Sequence, residues 1–172
     1  CSEIILRSME FCNLSEIVIR ADDTMETLME KVRLATILGT FQSTLTNFGY
    51  IRKEWKKNCD EERLLGVSLT GIMDSTLTNG VTFGLAERLE QLKQVAVDTN
   101  KAWAEKLGIS QSTAITCVKP SGTVSNLVDS ASGIHARHSN YYIRTVRADK
   151  KDPLAKMMID AGFYAEADVM RP

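Results

Sequence analysis

Three side chains near the start of the chain have types and spacing that suit one piece of chemistry. They are Cys1, Glu3 and Cys12, in CSEIILRSMEFCNLSEI. On an extended segment residues i and i+2 point to the same face, so Cys1 and Glu3 can share one small space. A sulfur radical or thiolate there can act on one atom while the carboxylate takes a proton from a neighbouring oxygen. Cys12 stands eleven residues after Cys1, a separation that lets a loop fold back and bring both sulfurs to one pocket. By spacing alone a plainer account is favoured: Glu3 as a solvated charge, Cys1 as a terminal residue and Cys12 as a small buried hydrophobe.

The second constellation is KPSGTVS, residues 119–125. A buried strand ends at Val118, and Pro120 and Gly122 shape a tight turn. Ser121, Thr123 and Ser125 supply hydroxyls, and the start of a helix supplies free N–H groups. Ser121, Gly122, Thr123, Val124 and Ser125 together have the makings of a phosphate site. A plain helix cap uses the same residue types; the preceding strand and the density of hydroxyls tip the reading towards phosphate.

The remaining reactive side chains read as structural. Cys117 lies within AITCV and is expected in the core. Cys59 lies in the charged stretch KKNCDEE and is expected to be an exposed, incidental thiol. Tyr141 and Tyr142 read as packing residues at a strand start. His135 and His138 flank Arg137 in a polar loop, and they do not pair with cysteines at zinc-ligand spacing, so no metal site is expected.

These residues need elements to hold them. Residues 12–20 read as a strand. A helix follows, capped by Asp23 with Glu26 as the partner of a capping box. Met25, Leu28, Met29, Val32, Ala35 and Leu38 form its apolar face. A buried strand from Leu64 to Leu69 runs into a turn containing Gly71. A long helix over 83–107 stops at Gly108. Residues 112–118 read as a second buried strand and 141–147 as another. Asp152, Pro153 and Gly162 bracket a final helix. Strands alternating with helices predict an α/β fold with mainly parallel strands.

Composition narrows the function classes. The 172 residues suffice for one domain with a sizeable core. Lys and Arg number 21 against 22 Asp and Glu, which gives no electrostatic case for nucleic acid or an anionic membrane as partner. No apolar run approaches the ~18 residues of a membrane span. Four cysteines without a C-x-x-C pair make no disulfide framework, and a reducing, cytoplasmic setting is expected. Neither end reads as a domain boundary.

The stretches CSEIIL, CNLSEI, RLLGVSLTGIMD, TAITCVKPSGTVS and GIHARHSNYYIRTVR stand in the order found in ribonucleotide reductases. The chain most resembles the adenosylcobalamin-dependent ribonucleoside-triphosphate reductases, the class II enzymes. The resemblance covers nearly the whole chain, most firmly residues 1–20, 63–74 and 112–147. It implies a ten-stranded α/β barrel with a central finger loop, of which residues 1–172 are the C-terminal portion of an incomplete catalytic domain.

The resemblance also implies roles. Cys1 becomes the thiyl radical that removes the 3′ hydrogen of a ribonucleotide. Glu3 takes the 3′-hydroxyl proton, and Cys12 is one of two thiols that reduce the sugar as the 2′-hydroxyl leaves. Residues 121–125 hold the substrate phosphates. Adenosylcobalamin is the implied cofactor, and a thioredoxin-type reductant and the N-terminal part of the same enzyme are the implied partners. Asn-Pro, which normally precedes the radical cysteine, is not in this sequence. Nor are the partner of Cys12, an allosteric nucleotide site and the C-terminal cysteine pair. The chain alone is therefore expected to be inactive, and its start at Cys1 suits an intein junction. The rival expectations are a hydrolase with Cys1 as N-terminal nucleophile, a nucleotide-binding module without chemistry, and a reductase served by a separate radical-generating subunit.

Overall fold

The computed structural model describes residues 3–170. The chain divides into two units, Cys1–Arg137 and His138–Pro172. In the first, strand β1 (Asn13–Val18) lies parallel to β2 (Leu65–Thr70), in register from Asn13↔Leu65 to Val18↔Thr70. Parallel neighbours need a crossover, which helices α1 (Met25–Gln42) and α2 (Lys53–Glu62) provide. Helix α3 (Leu85–Leu107) then carries the chain to a third extended segment, which bridges Val67↔Thr116 in parallel. Leu65 N donates to Ala114 O at 2.9 Å and Cys117 N to Val67 O at 3.0 Å, so this segment is the neighbour of β2 on the side away from β1. The expected α/β alternation is present.

The core lies between the strands and helices α1 and α3, where Ile17, Ile19, Leu28, Val67, Leu92 and Ile115 are buried together. The inward face of α1 differs from the expected one. Leu28, Val32 and Ala35 are buried, but Leu38 is 68% exposed. Thr36, Gly39 and Thr40 take its place. Small residues there let the helix approach the sheet: a Cβ on Gly39 would stand 3.4 Å from Leu65 Cδ2. The cap also shifts by one residue. Thr24 and Thr27 form the capping box, while Asp23 accepts from Arg20 N at 2.7 Å and pairs with Lys31 at 2.6 Å.

A buried polar knot ties three elements. Asn100 of α3 donates to Thr40 Oγ1 of α1 and to Ser112 Oγ, both at 3.0 Å, and accepts from Ser112 N at 2.9 Å. Ser112 opens the stretch that leads into the third strand. Asn100 has no exposed surface, so satisfying its amide on every side is what makes its burial tolerable.

The second unit holds one helix, α5 (Pro153–Asp160), here numbered after the single turn α4 (Val124–Leu127) of the first unit. Asp152 Oδ1 accepts from Leu154 N at 2.9 Å, as a cap ahead of Pro153 should. The expected strand over 141–147 is not formed among the described residues; that stretch is exposed throughout, Tyr141 and Tyr142 included. A strand is a pairing rather than a propensity, and among the described residues this stretch is paired in no sheet. No described helix is long and apolar enough to cross a membrane.

Candidate active site

Side chains of a strand alternate between faces. The face of the sheet turned away from the helices therefore carries Leu14 and Glu16 from β1 and Gly66 and Ser68 from β2. Cys117 joins them from the third strand. A Cβ built on Gly66 would stand 2.4 Å from Leu14 Cδ2, 3.0 Å from Cys117 Sγ and 3.5 Å from Ile4 Cγ1. The missing side chain at residue 66 is what lets these three groups meet over the middle strand.

The leading segment reaches this face through anchors on α2. Asn58 Nδ2 donates to Ser8 O at 2.9 Å, and Phe11 N donates to Cys59 Sγ at 3.3 Å. Phe11 stacks on Trp55 with centroids 4.4 Å apart. Cys59, expected to be exposed in a loop, is a buried helix residue that fixes the backbone just before Cys12. Cys1 lies outside the described residues. Glu3 and Cys12 are both half-buried.

The electrostatics link these groups. Burial pushes the Cys12 thiol up, its backbone hydrogen bond pulls it back, and the charges of Glu3 and Glu10 push it up further. Burial also raises Cys117; Lys119 opposes that rise, and Glu3, Cys12 and Glu16 add to it. Glu3 thus acts on both thiols, and Cys12 acts on Cys117. Two half-buried sulfurs among carboxylates keep their hydrogens. That setting suits a thiol that gives up hydrogen or reducing equivalents, and it is the opposite of what activates a thiolate nucleophile. Cys117, expected to be inert core, is part of this group.

At the far end of the third strand, Lys119 Nζ donates to Glu16 Oε2 in an ion pair whose side chains are only 11% and 8% exposed. The turn follows. Ser121 is buried, and its Oγ bonds to Ser125 Oγ and Ser132 Oγ, both at 2.8 Å. These two hydroxyls brace the turn internally. Gly122, at φ 60° with open space beside its Cα, is exposed, as are Thr123 and Val124. Thr123 is the cap position of α4 but makes no side-chain cap bond, so its hydroxyl stays outward. Beside the turn lies a recess of about 150 Å³, lined by Val118, Lys119, Pro120, Gly133, Ile134 and His135.

The wall of that recess is held from β2. Gly133 N donates to Thr70 Oγ1 at 2.8 Å, and Gly71 N donates to Ala131 O at 2.9 Å. Asp74 Oδ2 accepts from Ala131 N at 2.7 Å, and Asp74 Oδ1 accepts from Arg137 Nε at 3.0 Å. Burial pushes the Asp74 carboxyl up, but Arg137 and the Ala131 amide outweigh it and hold it below the usual carboxylate range. Asp74 and Arg137 escaped the sequence reading. The signal was a buried strand running through Gly71 into an aspartate.

No protein-family model matches the chain. It is 29% identical to the adenosylcobalamin-dependent ribonucleoside-triphosphate reductase of Lactobacillus acidophilus, across 98% of this chain and 26% of that protein. It is 30% identical to the Euglena gracilis protein of the same name, across 100% of this chain and 23% of that one. A crystal structure of a B-12 dependent (class II) ribonucleotide reductase superposes with a TM-score of 0.73 at 25% identity, across 98% of this chain and 27% of that one. The chain spans about a quarter of the length of these relatives. Along nearly its whole length, then, it is a homologue of one segment of the adenosylcobalamin-dependent ribonucleoside-triphosphate reductases.

Proposed function

We propose that this chain supplies one wall of the radical site of a ribonucleotide reductase acting on ribonucleoside triphosphates. The parallel segments 13–18, 65–70 and 114–118 are an arc of a ten-stranded barrel, and the face away from the helices is its inside. The chain is the C-terminal portion of that barrel. The N-terminal portion of the same enzyme and a thioredoxin-type reductant are its partners. What supports the reading is that Cys12 and Cys117 each lie close enough to Glu3 to feel its charge, with the hydroxyl-rich turn starting two residues after Cys117.

The roles follow from what each group can do. A thiyl radical on Cys1 takes the 3′ hydrogen of the ribose. Glu3 accepts the 3′-hydroxyl proton, which eases loss of the 2′-hydroxyl as water. Cys12 and a second thiol, on the N-terminal portion, give two electrons and two protons and close to a disulfide. Cys1 returns its hydrogen to C3′. The products are one deoxynucleotide, one water and one disulfide. The substrate's phosphates sit against residues 121–125, with the Gly122–Thr123 backbone and the Thr123 hydroxyl outward and Ser121 and Ser125 bracing from beneath.

Adenosylcobalamin, when bound, supplies the initial radical. The recess beside the turn, at about 150 Å³, is smaller than the roughly 300–1,000 Å³ of ordinary small-molecule pockets. It does not fit a corrin, so no residue of this chain is assigned to hold one.

The test uses the intact enzyme. Cys1→Ser abolishes both deoxynucleotide formation and exchange of the 3′ hydrogen. Cys12→Ser stops turnover while leaving that exchange. Deoxynucleotide formation by Cys1→Ser enzyme rules out the radical assignment.

A further inference from the structure

Glu16 and Lys119 have no part in the chemistry above, yet both side chains of this ion pair are deeply buried, at 8% and 11% exposed. Glu16 belongs to β1, and its register partner is Ser68 of β2. Lys119 follows the strand on the other side of β2. The two side chains meet over the middle strand, across two strand spacings of about 9–10 Å in all. The small residues Gly66 and Ser68 lie beneath that span. The thiol and carboxylate end of the site belongs to the β1 side, and the hydroxyl-rich turn belongs to the Lys119 side. The pair joins the two.

Burying such charges is costly unless each serves the other, and the site keeps a second oddity. Glu16 Oε1 is buried with no hydrogen-bond partner among the described residues. Glu10 Oε1 and Asp60 Oδ1 are left the same way, so it is the reach of Glu16 across β2 to Lys119, together with that oxygen, that marks the pair.

We propose that Glu16 and Lys119 are a positioning pair for the nucleotide site: Glu16 pins Lys119, and so fixes the turn of residues 119–123 relative to β1 and Cys12. This rests on the reading of the site as a nucleotide site. Cys117 reports on the pair directly, because Lys119 pulls its thiol down while Glu16, Glu3 and Cys12 push it up.

The first measurement is alkylation of Cys117 by iodoacetamide in the intact protein at a fixed pH below that of the thiol, followed by mass spectrometry of its peptide. Each unit of thiol pKa is about tenfold in thiolate. Glu16→Gln removes a negative neighbour and releases Lys119, so Cys117 reacts about 3- to 10-fold faster. Lys119→Met removes the positive neighbour, the stronger of the two influences on the thiol, so Cys117 reacts more slowly by at least that factor. The double variant returns close to the starting rate and keeps the fold if a lone buried charge unfolds either single variant. Acceleration in both single variants means that the pair merely packs the site. No change in either means that Cys117 does not feel it. Either result overturns the proposal.

The second measurement is kinetic. In each single variant the nucleotide KM rises by about tenfold with kcat nearly kept, as expected when positioning is lost rather than chemistry. Lys119→Arg recovers most of the loss. A fall in kcat at unchanged KM counts against the pair. If the unaltered protein reduces no ribonucleotide, the reading of the site fails, and the alkylation result still decides the pair.

Discussion

At Gly66 an added methyl would lie 2.4 Å from Leu14 Cδ2 and 3.0 Å from the Cys117 sulfur. Leu14 Cδ2 is the far end of an exposed side chain and can swing aside, whereas Cys117 has its backbone tied to Val67, so its sulfur must turn away. Gly66→Ala is therefore expected to destabilise the protein by about 1–3 kcal/mol, the range for overpacking, measurable by chemical denaturation. It also displaces Cys117, so iodoacetamide labels that residue faster in the folded protein. Full stability with unchanged labelling would contradict the packing described here. Residue-scale legibility was uneven for the same reason. Glu3 and Cys12 drew notice in the sequence because their types announce chemistry. Cys117 was misread because AITCV is apolar on both sides, and periodicity cannot say which face of such a strand meets the helices.

The loop of residues 128–137 is held to the end of β2 through Asp74, and its hold depends on charge. The Asp74 carboxyl lies below its ordinary value in the folded protein. A group with a depressed pKa contributes stability above its unfolded value, about 4. That contribution is lost as pH falls through the lower folded value. Acidification below about pH 4 should thus loosen the loop, with protection of the Ala131 and Gly133 amides falling in hydrogen exchange. Asp74→Asn should bring the same loosening at neutral pH, while the amides of α3 stay protected. Equal protection in the variant would mean that the bonds to the Thr70 hydroxyl and the Gly71 amide suffice. Elements bounded by local chemistry were the legible ones: α3 ends at Gly108 with φ 64°, and α5 starts at Asp152 and Pro153. The cap of α1 moved from Asp23 to Thr24 because Lys31, two turns along the same helix, and Arg20 N engage the aspartate. The stretch 141–147 carried strand propensity, and propensity does not supply a neighbour.

Across the whole molecule, burial is concentrated in the first unit. No described residue from 138 to 170 is buried, although that stretch carries Ile143, Val146, Phe163, Tyr164 and Val169. A unit without buried apolar contacts opens at little cost. Limited proteolysis of this chain by itself should therefore cut within 138–170 well before it cuts within α1 or α3. Resistance equal to that of the helices would refute this. The alternation of strand and helix was legible from periodicity. The separation into two units was not, because it depends on which surfaces find partners.

Asn100 gives the molecule a further property. Its one amide group holds α1, α3 and the entry to the third strand through Thr40 and Ser112. Sliding α3 by a single residue would sever all three bonds together and bury a bare amide. Small, graded adjustments of the helix layer are thereby forbidden. The face of the sheet turned away from the helices is in this way steadied by a contact on the opposite side.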